Sequence, residues 1–279
     1  MAISRDDCLI LDQNDPLAEI GTRFMQPPGA GNRSRIYMDA NSIGAPPRDV
    51  LERLQNTVGE HWGLARRRSW SEAGWLEAAS NLGDGIARIV GAAPGEIVVA
   101  DSTTINLFKA IVGGLNLLPQ RKKVLSEAAN FPTDLYTAEA AIDLMGNKHT
   151  LVLAADGRDS DEEICALIDS ETAVVVLSLV DYRTSRRRNL AKISSAAKAA
   201  GALTVWDLSH GAGAIPINLN RGGADFAVGC SYKYLCGGPG APAFFFSAAR
   251  HNETLDLGLK GWLGHADQFA FEPSHRPAA

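Results

Sequence analysis

The stretch Ala202-Leu-Thr-Val-Trp-Asp-Leu-Ser-His210, followed by Asp225-Phe-Ala-Val-Gly-Cys-Ser-Tyr-Lys-Tyr-Leu235, decides how this chain is read. Its first apolar run ends on Asp207, and so reads as a buried strand that delivers an acid to its carboxyl end. The second run, Asp225-Phe-Ala-Val-Gly229, delivers Lys233 just past its own end. Gly237-Gly-Pro-Gly-Ala-Pro242 then supplies tight turns. In open α/β sheets, ligands bind along that carboxyl rim.

Working outward, strands and helices alternate. Strands are expected at 97–100, 123–125, 149–154, 173–180, 202–206, 225–229 and 243–246. Helices are expected at 102–115, 132–145, 161–168 and 191–200. Strands separated by helices make βαβ units and a mostly parallel, doubly wound sheet. Upstream, residues 1–35 read as polar and partly helical. Leu11-Asp-Gln-Asn-Asp-Pro16 reads as a capped helix start and Pro27-Pro28-Gly29 as a break. Ile36-Tyr-Met-Asp39 reads as a short strand entering a turn-rich loop that ends at Pro47. Residues 48–90 read as long amphipathic helices, with Trp62, Trp70 and Trp75 as core or interface residues.

Composition narrows the function. The 279 residues are 46% hydrophobic and 21% charged, as expected of a globular enzyme-sized chain. A net charge of −5 argues against a broad nucleic-acid surface. No apolar run approaches the roughly 20 residues that cross a bilayer, and the N-terminus has no signal-peptide core, so no membrane partner and a cytoplasmic location are expected. None of the four cysteines forms a C-x-x-C pair, so no metal site or disulfide framework is expected. Cys230 and Cys236 read as small packing residues. The clusters Arg66–Arg68 and Arg186–Arg188 read as solvated turns, or as anion or subunit contacts.

Candidate site residues gather at the rim. Asp207 alone reads better as a cap, and Lys233 alone as a solvated lysine. Together, with Gly-rich turns after the lysine, they suit pyridoxal phosphate (PLP), a Schiff-base lysine with an acid on the pyridinium nitrogen. In Asp101-Ser-Thr-Thr-Ile-Asn106, Thr103 and Thr104 serve either as helix caps or as a phosphate site. In Asn130-Phe-Pro-Thr-Asp134, Phe131 is either core or a ring-stacking aromatic, and Asp134 either a cap or a rim acid. Ser178 and Asp181-Tyr-Arg-Thr184 close the most apolar strand at the same rim.

These stretches resemble kynureninase, a PLP enzyme of fold type I. The resemblance rests on Tyr37-Met-Asp-Ala-Asn-Ser-Ile-Gly44, Arg68-Ser-Trp70, Asp101 to Lys109, Asn130 to Tyr136 and Asp181 to Thr184. It continues through Asp207 to Gly213, Ser231-Tyr-Lys-Tyr-Leu235 and Gly261-Trp-Leu-Gly-His265, and runs from about residue 8 to the end. It implies the α/β architecture of PLP-dependent fold type I transferases, a mostly parallel sheet of the seven-stranded type flanked by helices. It implies Lys233 as the Schiff-base lysine, Asp207 on the pyridinium nitrogen with His210 beside it, and Phe131 on the ring with Asp134 close by. Thr103, Thr104 and Tyr232 would hold the phosphate, and Ser178 would line the site. Trp262 would reach it across a homodimer interface. Lys233, Tyr232 and Asp207 would carry the chemistry.

The implied reaction is hydrolysis of L-kynurenine or 3-hydroxykynurenine to the anthranilate and L-alanine in tryptophan catabolism. The alternatives are another fold type I enzyme, a desulfurase or an aminotransferase, or a truncated PLP-binding chain without activity. Residues 1–60 would contribute to a small domain and 61–279 would form the large PLP-binding domain. The family continues beyond the position of Ala279 with most of its small domain and the arginine for the substrate carboxylate. The C-terminal small domain is therefore expected to be absent here, and the chain as given to be inactive or nearly so. Ala40 and Ser185 stand where the family usually has Gly.

Overall fold

The β-branched and aromatic runs form one sheet in the computed structural model, which describes residues 3–27, 29, 36–154 and 160–277. Its strands are β1 (Ile97–Val99), β2 (Lys123–Glu127), β3 (Thr150–Ala154), β4 (Thr172–Ser178), β5 (Leu203–Asp207), β6 (Phe226–Gly229) and β7 (Phe244–Ser247). Their order across the sheet is β1-β7-β6-β5-β4-β2-β3. Strands β2 to β6 pair in parallel, and β7 runs antiparallel to both β6 and β1. Each expected strand from 97 onward lies within a few residues of its expected place.

The helices are α1 (Arg5–Gln13), α2 (Ala18–Gly21), α3 (Val50–Asn56), α4 (Ser69–Glu72), α5 (Ala78–Val90), α6 (Thr103–Leu117), α7 (Pro132–Leu144), α8 (Asp161–Ala166), α9 (Leu190–Ala200) and α10 (Leu219–Gly222). Capping fixes several of the starts. Ser102 accepts from the Ile105 N–H at the start of α6, and Ser160 forms a capping box with Glu163 at the start of α8.

Helices cover both faces of the sheet, and β4 shows why it had to be so. Its residues are all buried, and successive side chains point to opposite faces. Val174 and Val176 join Leu107, Ile111 and Ile142 of α6 and α7. Val175 and Leu177 join Val90, Ile164, Ile193 and Leu219 of the helices on the other side. Burying each such side chain stabilises by about 1.5–3 kcal/mol, so neither face could be left to water.

The upstream expectations need correction. Leu11–Pro16 is a helix end, because the capping box of Ser4 and Asp7 starts α1 earlier. Ile36–Asp39 forms no strand; all seven strands of the sheet come from residue 97 onward. The expected long helices over 48–90 are broken: α3 runs into a π-helical stretch at Thr57–Ala65, then a 3-10 turn at Arg66–Arg68 and α4. Trp62 is 66% exposed and is no core residue. Pro28 of the expected break lies outside the described residues. Arg188 does not face solvent: it is buried and paired with Glu127 and Asp161.

Candidate active site

The site grows from the parallel pairing of β5 with β6. The register sets Asp207 opposite Val228, so both chains leave the sheet at one level. Two further bonds tie the exits together. The Leu208 N–H donates to the Val228 carbonyl at 2.8 Å, and the Cys230 N–H to Ser209 Oγ at 3.2 Å. The Asp207 Oδ1 accepts from the Ser209 N–H at 2.8 Å, which turns His210 back over the rim. Lys233 lies within a loop closed by the Gly237 N–H donating to the Ser231 carbonyl at 2.8 Å. Its Nζ stands 2.9 Å from His210 Nε2, and the lysine is buried.

A second loop braces the lysine from below. Gly44 donates its N–H to the Tyr232 carbonyl at 3.0 Å. A Cβ on Gly44 would overlap the carbonyl oxygen of Lys233 and press on Cys236, so only glycine fits this approach. Nothing in the bare sequence marked Gly44 as a support for Lys233, 189 positions away; only its place in the Tyr37–Gly44 motif drew attention to it.

The walls come from two helix starts. Thr103 and Thr104 open α6, while Phe131, Thr133 and Asp134 open α7. With Asp207, Ser209, His210, Tyr232 and Lys233 they line a cleft of about 100 Å³. The Nζ of Lys233 lies 5.8 Å from the centre of the Phe131 ring and 5.7 Å from that of Tyr232. The hydroxyls of Thr103 and Thr104 have no hydrogen-bond partner among the described residues, and the first N–H groups of a helix lack intrahelical partners.

Electrostatics in the cleft follow from burial. Asp134 is buried, its Oδ2 has no hydrogen-bond partner among the described residues, and its carboxyl is pushed well above the usual range by burial and then by the charge of Asp207, with Lys233 acting the other way. The His210 imidazole is lowered by burial and by Lys233. Burial raises the Tyr232 phenol.

Most of the residues singled out in the sequence therefore share one cleft. Ser178 stands one step behind it: its Oγ donates to Asn130 Oδ1 at 2.7 Å, and that oxygen also accepts the Phe131 N–H at 2.9 Å. Trp262, expected to reach the site of a second copy, does not line the cleft of its own chain. It packs on Trp70 at 5.4 Å, beside Phe269 and Phe271, around a separate apolar groove. Thr133 and Ser209 also line the cleft and Tyr182 packs on Phe131 and His210, though none of the three was singled out within the motifs that contain them. Their sequence signal was membership of the quoted rim motifs.

Known proteins resemble the chain at two levels. It is 42% identical over 279 residues to a kynureninase of Pseudomonas fluorescens, covering 99% of this chain and 65% of that protein. It is 41% identical over 278 residues to a kynureninase of Burkholderia pseudomallei (strain 1106a), covering 98% and 65%. The chain thus spans just under two thirds of the length of these relatives. Among solved structures, the apo cysteine desulfurase of Thermococcus onnurineus NA1 has a TM-score of 0.67 at 19% identity over 94% of this chain and 61% of the other. A mutant of C-DES with glycine covalently linked to the PLP cofactor has a TM-score of 0.72 at 17% identity, over 85% and 62%. These two likenesses concern the fold alone. Aminotransferase class-V matches residues 36–258, which take in all of the sheet and every residue lining the cleft; the chain belongs to that family.

Proposed function

We propose that the cleft binds PLP through Lys233 and serves hydrolysis of L-kynurenine or its 3-hydroxy form to the anthranilate and L-alanine. The observation that carries this reading is the buried Lys233 amine, 2.9 Å from His210 and beside Asp207, in a chain 42% identical to a kynureninase.

The residues present fit the cofactor. Thr103 and Thr104, with the free N–H groups of α6, suit a phosphate. Asp207 suits a pyridine nitrogen, Phe131 a ring face, and the orphaned Oδ2 of Asp134 a polar partner. Bound PLP would supply an electron sink for charge developing at the substrate α-carbon. Lys233 Nζ takes and returns the proton there, with His210 fixing where the amine stands. Water adds to the side-chain ketone, and the Cβ–Cγ bond breaks so that the ketone carbon leaves as the anthranilate carboxyl. Tyr232, whose phenol burial raises, is placed to donate its proton to Cβ of the alanine fragment. A desulfurase reading is weaker, since Cys230 is buried and burial pushes the thiols of Cys230 and Cys236 up.

The same reading takes residues 61–279 as the large domain and 1–60 as a contributor to a small one; Ile10, Leu11, Leu17 and Ile20 on the N-terminal helices are exposed and suit such cover. It takes the enzyme as a cytoplasmic homodimer, supported by the exposed Trp262, Phe269 and Phe271 around their groove. No helix among the described residues is long and apolar enough to cross a membrane. The test is anthranilate fluorescence from kynurenine and PLP, with the chain as given and with a form extended to its relatives' length. PLP binding without anthranilate from the extended form would overturn the substrate.

A further inference from the structure

The turn after β4 carries a residue that the proposed chemistry does not use. Asp181 Oδ1 accepts from the Arg183 N–H at 2.9 Å, the Thr184 N–H at 2.7 Å and the Thr184 hydroxyl at 3.0 Å. This fixes the backbone of Tyr182 between them. The Tyr182 ring meets Phe131 edge-on at 5.0 Å and 81°, and lies 6.2 Å from the His210 ring at 33°. Its face carries the Arg183 guanidinium at 5.5 Å from the centroid. Arg183 also donates to the Ala129 carbonyl at 3.3 Å, which ties this turn to the loop that holds Phe131. The Tyr182 hydroxyl has no hydrogen-bond partner among the described residues, so the ring and not the hydroxyl does the holding.

We propose that Tyr182 is a positioning residue: its ring, backed by Arg183, sets Phe131 and His210 in place beside Lys233. Phe131 and His210 stand 6.4 Å apart, and both approach Lys233. Aromatic contacts at such distances favour edge-to-face and offset geometries, so one ring can hold two others at defined angles. The inference rests on the PLP reading of the cleft, but its first readout does not need the cofactor. Burial holds the His210 imidazole low, with Lys233 acting in the same direction and Asp207 and Asp181 acting against it. Tyr182 is part of that cover.

The test compares Tyr182→Leu, Tyr182→Phe and Arg183→Gln with the parent chain. Histidine NMR titration without PLP follows His210, whose signal is identified by its loss in His210→Gln. Fluorescence titration with PLP gives cofactor affinity. Tyr182→Leu should move the His210 titration up towards the ordinary histidine value and weaken PLP binding about threefold to tenfold. Tyr182→Phe should match the parent in both. Arg183→Gln should shift both in the direction of Tyr182→Leu, by less, and stands in if the leucine variant does not fold. Parent-like His210 titration and PLP affinity in folded Tyr182→Leu, or in Arg183→Gln where leucine fails, would overturn the inference. Anthranilate release is scored separately: its absence with these shifts present removes the kynurenine reading and leaves the role of Tyr182 standing.

Discussion

Lys233 Nζ and His210 Nε2 stand 2.9 Å apart because two neighbouring parallel strands end at the same level. The short loops beyond Asp207 and Gly229 are then hydrogen-bonded to each other, which brings the amine and the imidazole together.

Lys233 is expected to be the lysine that holds PLP. Borohydride reduction in the presence of PLP, followed by peptide mapping, should label Lys233, and Lys233→Ala should take up no label. Label on Lys109 or Lys260 would count against the assignment. Lys109 is already committed to Asp101 at 2.5 Å.

Asp207→Asn removes the buried charge beside the proposed pyridine nitrogen while keeping the side chain's shape. Some PLP affinity should survive, and turnover in a form of full relative length should fall by about a hundredfold or more, as when one preorganised electrostatic partner is lost. Near-parent turnover, read by anthranilate fluorescence, would make the acid structural only.

Gly44→Ala should be far more damaging than an added methyl suggests. The Cβ meets backbone, the Lys233 carbonyl, which cannot swing aside as a flexible side chain would. Overpacking of this kind costs about 1–3 kcal/mol. The expected result is a lower urea midpoint together with weaker PLP binding, whereas Gly21→Ala, with open space around it, should show neither.

Ser185 occupies left-handed backbone at φ 60°, where glycine is at home. That conformation costs a non-glycine residue about 1–2 kcal/mol, partly offset because glycine loses more chain entropy on folding. Ser185→Gly should therefore stabilise by about 0.5 kcal/mol, raising Tm by about 1–2 °C in calorimetry. A lowered Tm would mean that the Asp181–Arg186 turn depends on the serine side chain.

Acid sensitivity should trace in part to Asp225. Burial pushes its carboxyl up, but bonds from His251, Arg250 and the Thr204 N–H outweigh this and hold it below the usual range. A folded value below the unfolded one means the contribution is full above the unfolded value of 3.8 and is lost as pH falls through the lower folded value. Urea unfolding at about pH 6 and about pH 3 should show a shallower acid loss in Asp225→Asn than in the parent. Equal losses would place the acid-labile group elsewhere.

From Ile97 onward the sequence determined the fold by itself. Runs such as Ala173–Leu177, apolar at every position, can only be strands covered on both faces, and the capping serines and turn glycines mark where the helices between them begin and end. It also placed Asp207 and Lys233 at the rim, because Asp207 closes one apolar run and Lys233 follows another by four residues. Before Ile97 it marked the helices only in part and two stretches were misread, since the π-helical stretch at Thr57–Ala65 and the unpaired Ile36–Asp39 depend on what the chain packs against and not on local pattern. Only the tertiary structure decided that Gly44 must approach the Lys233 carbonyl, that Arg188 is buried between Glu127 and Asp161, and that Tyr182 leans on Phe131 and His210. Each of these joins segments far apart in sequence, and periodicity reports which face of an element is buried but not which distant side chain meets it there.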